Sequence, residues 1–400
     1  MTNGEEPGHS DTAIEIPGAS VRRSYTPTTI RELEEVVAEA SGESRGLLIV
    51  GGRTRLQIAN PARGIEAGLS TRALEGVDEF EPEEGVLHAR AGTPIGEIRR
   101  IASAEGWELP LDTPGARSTL GGTIATAVTG PRALAFGRVQ DAVLGLDVVG
   151  GEGVASKCGG RVVKNVTGYD MAKLYCGSFG SLAVITGAWL RLRPAPAVRV
   201  ALVVRVDPTS FEDCRRLCGL GSVRALVWNQ ASDSERVEVV IELAGSEEGV
   251  AHDRGEIANT LNLSGGGRDA EVADERVDTL RDARAEIGND PIVLRARVLG
   301  TQCEELTQEM LRAGLSVSVD PGLGVIFARG ELSTPDELVR IRAASGAAGG
   351  FTTFEQLPSA WRERLDVFGE PGGTATLMSS LKKRFDPMGI FNPGRFMARI

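Results

Sequence analysis

The sequence predicts an α+β protein with two main domains, and three patterns lead to this prediction. Short apolar strands in the first half run directly into glycine-rich loops, as where Leu47 to Val50 precedes Gly51-Gly52. The stretch Pro194-Ala195-Pro196 is typical of a boundary between domains. Beyond it, a strand–helix–strand–strand–helix order occurs twice, which indicates an antiparallel sheet with helices on one face.

Length, net charge and composition limit the class of protein. The chain has 400 residues, enough for two or three domains. Its net charge of −11 argues against nucleic acid as the main partner, because phosphate backbones are bound by clustered Lys and Arg. An anionic cofactor remains compatible with this charge, since backbone N–H groups also bind phosphate. The 51 glycines indicate many tight turns and close backbone approaches to a ligand.

The N-terminus and the cysteines favour a cytoplasmic protein. Residues Met1 to Ser10 contain no apolar signal region, and no apolar stretch approaches the ~20 residues of a membrane span. The five cysteines are read as reduced thiols. The pair Cys214 and Cys218 cannot supply a four-cysteine cluster, so any iron–sulfur centre must belong to another chain.

The first half alternates strands and helices. Residues 1–20 are polar and are expected to be disordered. Apolar side chains on one face predict a helix over Thr28 to Ala40, and Pro94 to Ala104 reads as a second helix that begins with proline. The segments that read as strands are Leu47–Val50, Val86–Ala91, Asp141–Val149, Val154–Cys158 and part of Ser181–Arg193.

The second half has a different order of predicted strands and helices. The predicted strands are Val198–Val206, Val223–Trp228, Arg236–Leu243, Ile292–Leu299, Ser316–Val319 and Gly324–Arg329. The predicted helices are Ser210–Cys218, Glu247–Leu261, Glu304–Ala313 and Pro335–Ala344. In the last segment, Phe385-Asp386-Pro387 and Phe391 to Arg395 contain turn signals, so this tail is expected to be structured.

Common nucleotide and metal motifs are missing. The sequence has no G-x-G-x-x-G after a strand, no phosphate-binding G-x-x-x-x-G-K-[ST], no H-E-x-x-H and no G-x-S-x-G. A simple NAD site or an ATPase is therefore disfavoured. With only His9, His88 and His252 available, no metal site is predicted.

Three glycine-rich stretches remain as candidates for binding. They are Ile49 to Arg55, Thr113 to Ala125 and Gly177 to Ile185. Each stretch alone fits a tight turn or close strand packing. Together they predict that separated loops converge so that main-chain amides bind the phosphates of a dinucleotide.

Several motifs in this half resemble a known family. They are Thr119 to Ala125, Gly137-Arg138 with Asp141 to Gly145, Lys164 to Asp170, Lys173-Leu174 with Gly177 to Gly180, and the tail Phe385 to Arg395. With these motifs the chain resembles the FAD-binding domain shared by vanillyl-alcohol oxidase, p-cresol methylhydroxylase and the D-lactate dehydrogenases. It is most similar to one branch of this family, the smaller FAD-binding flavoproteins of bacterial glycolate oxidase complexes. The resemblance covers about residues 24 to 197 and the tail well, and the middle only in outline.

The resemblance implies an architecture. After the segment at 1–20, whose polarity predicts disorder, it implies a PCMH-type FAD-binding domain made of two α/β subdomains at 21–197. An antiparallel-sheet cap domain of ferredoxin-like character is expected at 198–372. A C-terminal segment at 373–400 is expected to return to the FAD domain.

The resemblance also assigns contacts to FAD. The pyrophosphate is expected to contact Gly51 to Arg55. The pyrophosphate and the flavin are expected to contact Pro114-Gly115 and Thr119 to Thr123. The ribose and adenine are expected to contact Gly180 to Ile185. Lys164 to Asp170 are expected beside the ring or the substrate, and Asn392 over the flavin. The expected cofactor-binding residues are Gly51, Gly52, Arg53, Thr54, Arg55, Pro114, Gly115, Thr119, Leu120, Gly121, Gly122, Thr123, Lys164, Asn165, Gly168, Tyr169, Gly180, Val184, Ile185 and Asn392.

Three positions keep two interpretations. Lys164 either stabilises the negative charge of a reduced flavin or is a surface cation. Arg295 either binds a substrate carboxylate in bidentate fashion or lies on the surface of a strand. Lys164 and Arg295 are the catalytic candidates. Tyr169 either packs in the core or contacts the flavin. Arg138 and Asp141 are read as a structural ion pair.

FAD is expected to be held noncovalently. Some relatives attach FAD through a histidine in the first glycine loop, and Gly51 to Arg55 contains none. Cys158 is the remaining candidate for a covalent link. His88 is read as a packed or edge residue of a strand, and His252 is the only histidine of the cap, so no histidine base beside a flavin is identified.

Two functions follow from the resemblance, and a third stands beside them. In the first, the chain is an accessory flavoprotein of a complex that oxidises glycolate or a similar small 2-hydroxy acid. A sister catalytic flavoprotein and an iron–sulfur subunit would be its partners, and any membrane association would be made through them. In the second, the chain is a self-sufficient FAD-dependent 2-hydroxy-acid dehydrogenase. The third is a non-catalytic scaffold whose FAD site is degenerate.

Overall fold

A computed structural model describes residues 13–115, 117–161, 170–263, 271–272, 275–284 and 290–400. The chain divides into two compact units. The first comprises Met1–Val128, Arg138–Ala195 and Arg362–Ile400, and the second comprises Thr129–Gly137 and Pro196–Trp361.

Most of the strands are short. In chain order they are β1 (Ile14–Ile16), β2 (Ala19–Val21), β3 (Arg23–Tyr25), β4 (Gly46–Val50), β5 (Ile65–Ser70), β6 (Val77–Glu81), β7 (Val86–Arg90), β8 (Trp107–Glu108), β9 (Val143–Val149), β10 (Ala155–Gly159), β11 (Val184–Arg191), β12 (Arg193–Pro194), β13 (Val198–Val206), β14 (Val223–Gln230), β15 (Val237–Gly245), β16 (Glu271–Val272), β17 (Ile292–Arg297), β18 (Ser316–Asp320), β19 (Val325–Gly330) and β20 (Phe351–Gln356).

The helices connect these strands. In chain order they are α1 (Ile30–Gly42), α2 (Ile95–Ala104), α3 (Leu120–Thr126), α4 (Ala133–Phe136), α5 (Val139–Ala142), α6 (Met171–Tyr175), α7 (Phe211–Leu217), α8 (Glu247–Thr260), α9 (Arg276–Ala283), α10 (Cys303–Arg312), α11 (Pro335–Ala347), α12 (Ser359–Arg362) and α13 (Ala375–Phe385). Short 3-10 helices lie at Pro208–Ser210, Gly300–Gln302, Gly372–Thr374 and Met397–Arg399.

The first unit contains a small parallel sheet with the strand order β3-β5-β4. Helix α1 packs beside it and begins at the N-cap Thr29, whose side chain accepts a hydrogen bond from the Glu32 N–H. Leu33, Val36 and Val37 form the buried face of this helix, as their helical spacing predicts. The sheet directs the end of β4 into the first glycine-rich loop.

The first unit also contains a five-stranded antiparallel sheet. Its strand order is β10-β9-β11-β7-β6. A cluster of buried apolar residues joins it to α2 and α3, with Ile98 and Leu120 fully buried. Because α3 is packed on this core, the glycine-rich residues at its beginning have a defined position.

The second unit is built on one eight-stranded sheet with the order β16-β13-β15-β14-β18-β19-β17-β20. Every strand pair in it is antiparallel. The order β13-α7-β14-β15-α8 is repeated as β17-α10-β18-β19-α11, which is the predicted strand–helix–strand–strand–helix pattern. The predicted α+β class is therefore confirmed.

Two buried arginines lie close to the ends of the segments that make up the units. Arg132 belongs to the second unit, where its guanidinium binds Glu242 with Nη2 2.6 Å from Oε2, and Glu242 has no exposed surface. The C-terminal part of the first unit begins at Arg362, which donates to the carbonyls of Gln57 and Ala59 at 2.9 and 3.1 Å.

The prediction of disorder over 1–20 is wrong for the described residues 13–20. Strands β1 and β2 form an antiparallel pair, and Ile14, Ile16 and Val21 pack against Leu48 and Val50 of β4. The alternation of apolar and polar residues over Ile14–Ile16 buries one face of the strand, which a reading based on overall polarity overlooks.

The C-terminal segment is attached to the first unit by a buried lysine. Lys382 Nζ donates to Asp386 Oδ2 at 2.6 Å and to the carbonyls of Ser181 and Phe391 at 2.8 Å. Asp386 also accepts from the Ile390 and Phe391 N–H groups. Burial lowers the pKa of Lys382, so the fixed oxygen partners are needed to keep the ammonium stable in this position. The predicted structured tail is thus built around one ion pair.

We expect Lys382→Met to destabilise the chain by about 3–5 kcal/mol, because Asp386 would remain buried without its counter-ion. The neighbouring Lys383 is exposed and offers a matched control, for which Lys383→Met should change stability by less than about 0.5 kcal/mol. Urea unfolding followed by circular dichroism measures both. Equal stability of the two variants would contradict this role of Lys382.

Candidate cofactor site

The three glycine-rich stretches meet in the first unit. They line one cavity, whose wall takes residues from all three stretches. The wall is formed by residues of the loop after β4, of α3 and the turn before it, and of the loop before β11. The predicted convergence of these loops is therefore present in the structure.

The loop after β4 approaches the turn before α3 closely. A Cβ atom on Gly51 would lie 2.4 Å from Thr119 Oγ1, and one on Gly52 would lie 1.9 Å from the Arg117 carbonyl oxygen. The Gly52 N–H donates to Thr119 Oγ1 at 3.3 Å. No other residue type fits this contact, so the two glycines are required for the two walls of the cavity to meet.

Left-handed backbone at residues other than glycine also occurs at this cavity. Arg53, Phe179 and Asn392 are not glycines, yet their φ angles are 60°, 53° and 47°. All three line the cavity. Such conformations cost free energy and are retained where the surrounding structure imposes them, often at ligand sites.

Asn392 joins two of the walls. Its Oδ1 accepts from the Ile49 N–H at 2.9 Å, and its Nδ2 donates to the Phe179 carbonyl at 2.7 Å. Its own N–H donates to the Leu47 carbonyl. A side chain from the C-terminal segment therefore sets the spacing between the first and third glycine-rich stretches.

The cavity is cationic although the chain is acidic overall. Arg53, Arg55 and Arg395 line it, and no Asp or Glu occurs among its described lining residues. With a net charge of −11, this separation of charge is not a consequence of composition. A cavity with glycine-rich backbone and arginines suits a dinucleotide, whose phosphates are its anionic part.

Most of the predicted cofactor-binding residues lie in this wall. Those that line the cavity are Gly51, Gly52, Arg53, Thr54, Arg55, Thr119, Gly121, Gly122, Thr123, Gly180, Ile185 and Asn392. Four others support it from outside. Leu120 and Val184 point into the apolar core, whereas Pro114 and Gly115 accept hydrogen bonds from the side chain and the N–H of Ser118.

Neither of the two catalytic candidates is among the described lining residues of this cavity. Lys164 lies outside the described residues, as do Asn165, Gly168 and Tyr169. Arg295 belongs to the second unit, where its Nε lies 3.0 Å from Oε1 of the buried Glu355. Arg295 is therefore an ion-pair partner within its sheet rather than a surface residue of a strand.

The remaining candidates have structural partners. Arg138 and Asp141 cap α5, with the Arg138 N–H donating to Asp141 Oδ2 at 2.8 Å and the side chains 3.6 Å apart. His88 is packed between Asp78 and Asp147, and its hydrogen bond is the main cause of the lowered pKa of Asp147. Burial raises the pKa of Cys158, which disfavours the reactive thiolate.

Sequence reasoning does not identify some of the lining residues. Ser118 contacts Thr54, with the two hydroxyl oxygens 3.2 Å apart, and Phe179 packs against Phe368 and Phe396. The sequence places Arg395 in a segment with turn signals and gives no separate indication that it binds a ligand. The signal that could draw attention to it is an arginine directly after Pro393-Gly394 in a segment with a structured fold.

Comparison with known proteins finds a family that matches the part of the chain supplying most of the cavity wall. Residues 22–159 match the FAD binding domain family. Over 379 residues the chain is 28% identical to glycolate oxidase subunit GlcE of Escherichia coli, covering 92% of this chain and 97% of that protein. Over 179 residues it is 33% identical to D-2-hydroxyglutarate dehydrogenase of Xanthomonas citri, covering 44% of this chain and 38% of that enzyme.

The fold is also found in solved structures. Alkyldihydroxyacetonephosphate synthase superposes with a TM-score of 0.65 at 16% identity, covering 94% of this chain and 76% of that one. At this identity the similarity concerns the fold alone. Among the helices in the described ranges, none is both long and apolar enough to cross a membrane.

Gly122 offers a clean test of the cavity. A Cβ there would lie 3.2 Å from Thr119 Oγ1 with no other atom within 4 Å, whereas at Gly121 it would lie 2.8 Å from Ala91 Cβ and disturb the core. We expect Gly122→Val to weaken FAD binding about tenfold or more, since overpacking costs about 1–3 kcal/mol. Flavin fluorescence titration measures the Kd.

Gly96 provides the control for this substitution. It lies on the exposed side of α2, and a Cβ there would have no neighbour within 4 Å. Gly96→Val should keep the wild-type Kd for FAD. If Gly122→Val also retains the wild-type Kd in a folded protein, the glycine-rich wall is not the FAD site.

Proposed function

On the premise that residues 22–159 are an FAD binding domain, we propose that the chain is an FAD-dependent oxidoreductase subunit acting in the oxidation of small 2-hydroxy acids. The observation that carries the proposal is the acid-free, arginine-lined cavity formed by the described residues of the three glycine-rich stretches. The similarity to GlcE over nearly the whole of both chains supports the choice of substrate class.

The residues of the cavity fit FAD. The backbone of Gly51 to Arg55 would hold the pyrophosphate, because consecutive N–H groups without bulky side chains can turn towards one anion. Thr119 to Thr123 would lie along the pyrophosphate and flavin, and Gly180 to Ile185 along the ribose and adenine. The bound flavin supplies the capacity to accept a hydride and pass electrons on. The protein positions it and excludes water.

We further propose that the chain works as an accessory subunit. A sister flavoprotein would oxidise glycolate or a related acid, and an iron–sulfur subunit would carry the electrons onward. Two observations support this assignment. The chain is similar over 92% of its length to a subunit of glycolate oxidase. In addition, Arg295, the candidate for substrate binding, already pairs with the buried Glu355 and has less capacity to bind a substrate carboxylate.

The alternative is a self-sufficient FAD-dependent 2-hydroxy-acid dehydrogenase. It is favoured by the similarity, over 44% of this chain, to D-2-hydroxyglutarate dehydrogenase. In that case Arg295 would exchange its bond to Glu355 for a bond to the substrate carboxylate. A scaffold with a degenerate FAD site is disfavoured because the glycine contacts at Gly51 and Gly52 are intact.

Reduction of the flavin under anaerobic conditions distinguishes the two enzymatic roles. We expect the purified chain to bind FAD and to show no bleaching of the flavin absorbance on addition of glycolate or D-lactate. Bleaching is expected once the partner flavoprotein is added. Rapid bleaching by the isolated chain would establish the self-sufficient dehydrogenase, and failure to bind FAD would remove both enzymatic roles.

A paired substitution tests Arg295 without leaving a buried charge. Arg295→Met combined with Glu355→Leu replaces the ion pair by apolar side chains, which is often neutral or stabilising. We expect the double variant to retain FAD and, in the assembled complex, to keep kcat/KM for the 2-hydroxy acid within about twofold. A fall of tenfold or more, equivalent to about 1.4 kcal/mol, would instead identify Arg295 as a substrate-binding residue.

A further inference from the structure

Arg395 is placed in the cavity wall by the C-terminal segment. It is only 6% exposed and lines the cavity together with the first glycine-rich loop. Its Nη2 donates to the Leu56 carbonyl at 2.6 Å, and its own carbonyl accepts from the Asn60 N–H. The guanidinium is therefore held at one end by the loop that continues from Gly51 to Arg55.

The other end of this guanidinium has no partner among the described residues. Nη1 of Arg395 is buried and makes no hydrogen bond to any of them. Arg395 also forms no ion pair with a carboxylate of the described residues, and the cavity wall that they form contains no acidic side chain. A buried hydrogen-bond donor and a buried charge are both left uncompensated, which folded proteins generally avoid.

A second buried arginine adds to the positive charge. Arg362 donates to the carbonyls of Gln57 and Ala59 in the same loop. Burial lowers the pKa of Arg362 to about 10. Burial, with a smaller contribution from the charge of Arg362, also lowers the pKa of Arg395 to about 10. Both groups still carry their charge at neutral pH, so the loop after Arg55 is flanked by two desolvated cations.

We propose that Arg395 is a counter-ion of the FAD pyrophosphate, with Nη1 donating to a phosphoryl oxygen. This inference rests on the proposed FAD site. The pyrophosphate is the anionic part of oxidised FAD, and a charge-assisted bond to it would satisfy both the free donor and the uncompensated charge. The bond to the Leu56 carbonyl orients the guanidinium before FAD arrives, which reduces the ordering needed on binding.

If Arg395 is a counter-ion of FAD, its replacement should affect FAD affinity and apoprotein stability to different extents. A residue that only holds the C-terminal segment in place would, when replaced, destabilise the chain with or without FAD. Arg395 as a counter-ion is needed chiefly in the complex, since in the apoprotein its charge is uncompensated. Replacement should therefore weaken FAD binding much more than it lowers the stability of the apoprotein.

The experiment compares Arg395→Met, Arg395→Lys and the control Arg384→Met. Arg384 is exposed on α13 of the same C-terminal segment. Flavin fluorescence titration gives the Kd for FAD, and thermal unfolding gives the apoprotein Tm. We expect Arg395→Met to raise the Kd about 10- to 100-fold with an apoprotein Tm close to that of wild type. Arg395→Lys should recover part of the loss, and Arg384→Met should match wild type.

The midpoint potential of the bound flavin distinguishes a pyrophosphate counter-ion from a cation beside the flavin ring. Removal of a cation beside the reduced ring would lower the potential, whereas removal of a pyrophosphate counter-ion would leave it nearly unchanged. An unchanged Kd in Arg395→Met overturns the inference, and so does a raised Kd together with a lowered potential, which would place Arg395 beside the ring. Equal losses of apoprotein Tm in the Met and Lys variants also overturn it, because they indicate a structural role. Failure of the wild-type chain to bind FAD would instead refute the proposed function.

Discussion

The cavity depends on one close contact between two backbones. Gly52 lies so near the Arg117 carbonyl that any side chain at this position would overlap with it. This contact brings the end of β4 in the parallel sheet against the turn before α3, which packs on the antiparallel sheet. The contact allows the loop after β4 and the turn before α3 to line the same cavity.

The C-terminal segment also helps to form the cavity wall. Asn392 bridges the first and third glycine-rich stretches, and Lys382 with Asp386 fixes the segment that carries Asn392. Binding and folding are therefore linked in the first unit. The residues that shape the cavity are held by buried polar contacts, which are stable only when every partner is present.

The distribution of charge explains how an acidic chain can hold an anionic cofactor. The surplus of acidic residues contributes nothing to the described wall of the cavity, where the ionisable side chains are arginines. In the second unit, by contrast, buried arginines face buried carboxylates, as in Arg132 with Glu242 and Arg284 with Asp320. Arginines with acidic partners stabilise the fold, whereas Arg395 has none among the described residues and suits a ligand.

The sequence by itself determined the α+β class, the element order of the second unit and the glycine-rich stretches. Each of these follows from local patterns, namely apolar periodicity, turn residues and the absence of side chains where backbones must approach. Only the tertiary structure decided the roles of Asn392, Arg395 and Arg132. Their partners lie 343, 339 and 110 residues away in the chain, and no local pattern records such a contact. The β1–β2 pair escapes prediction for a related reason, since three-residue strands become stable only when they pack against β4.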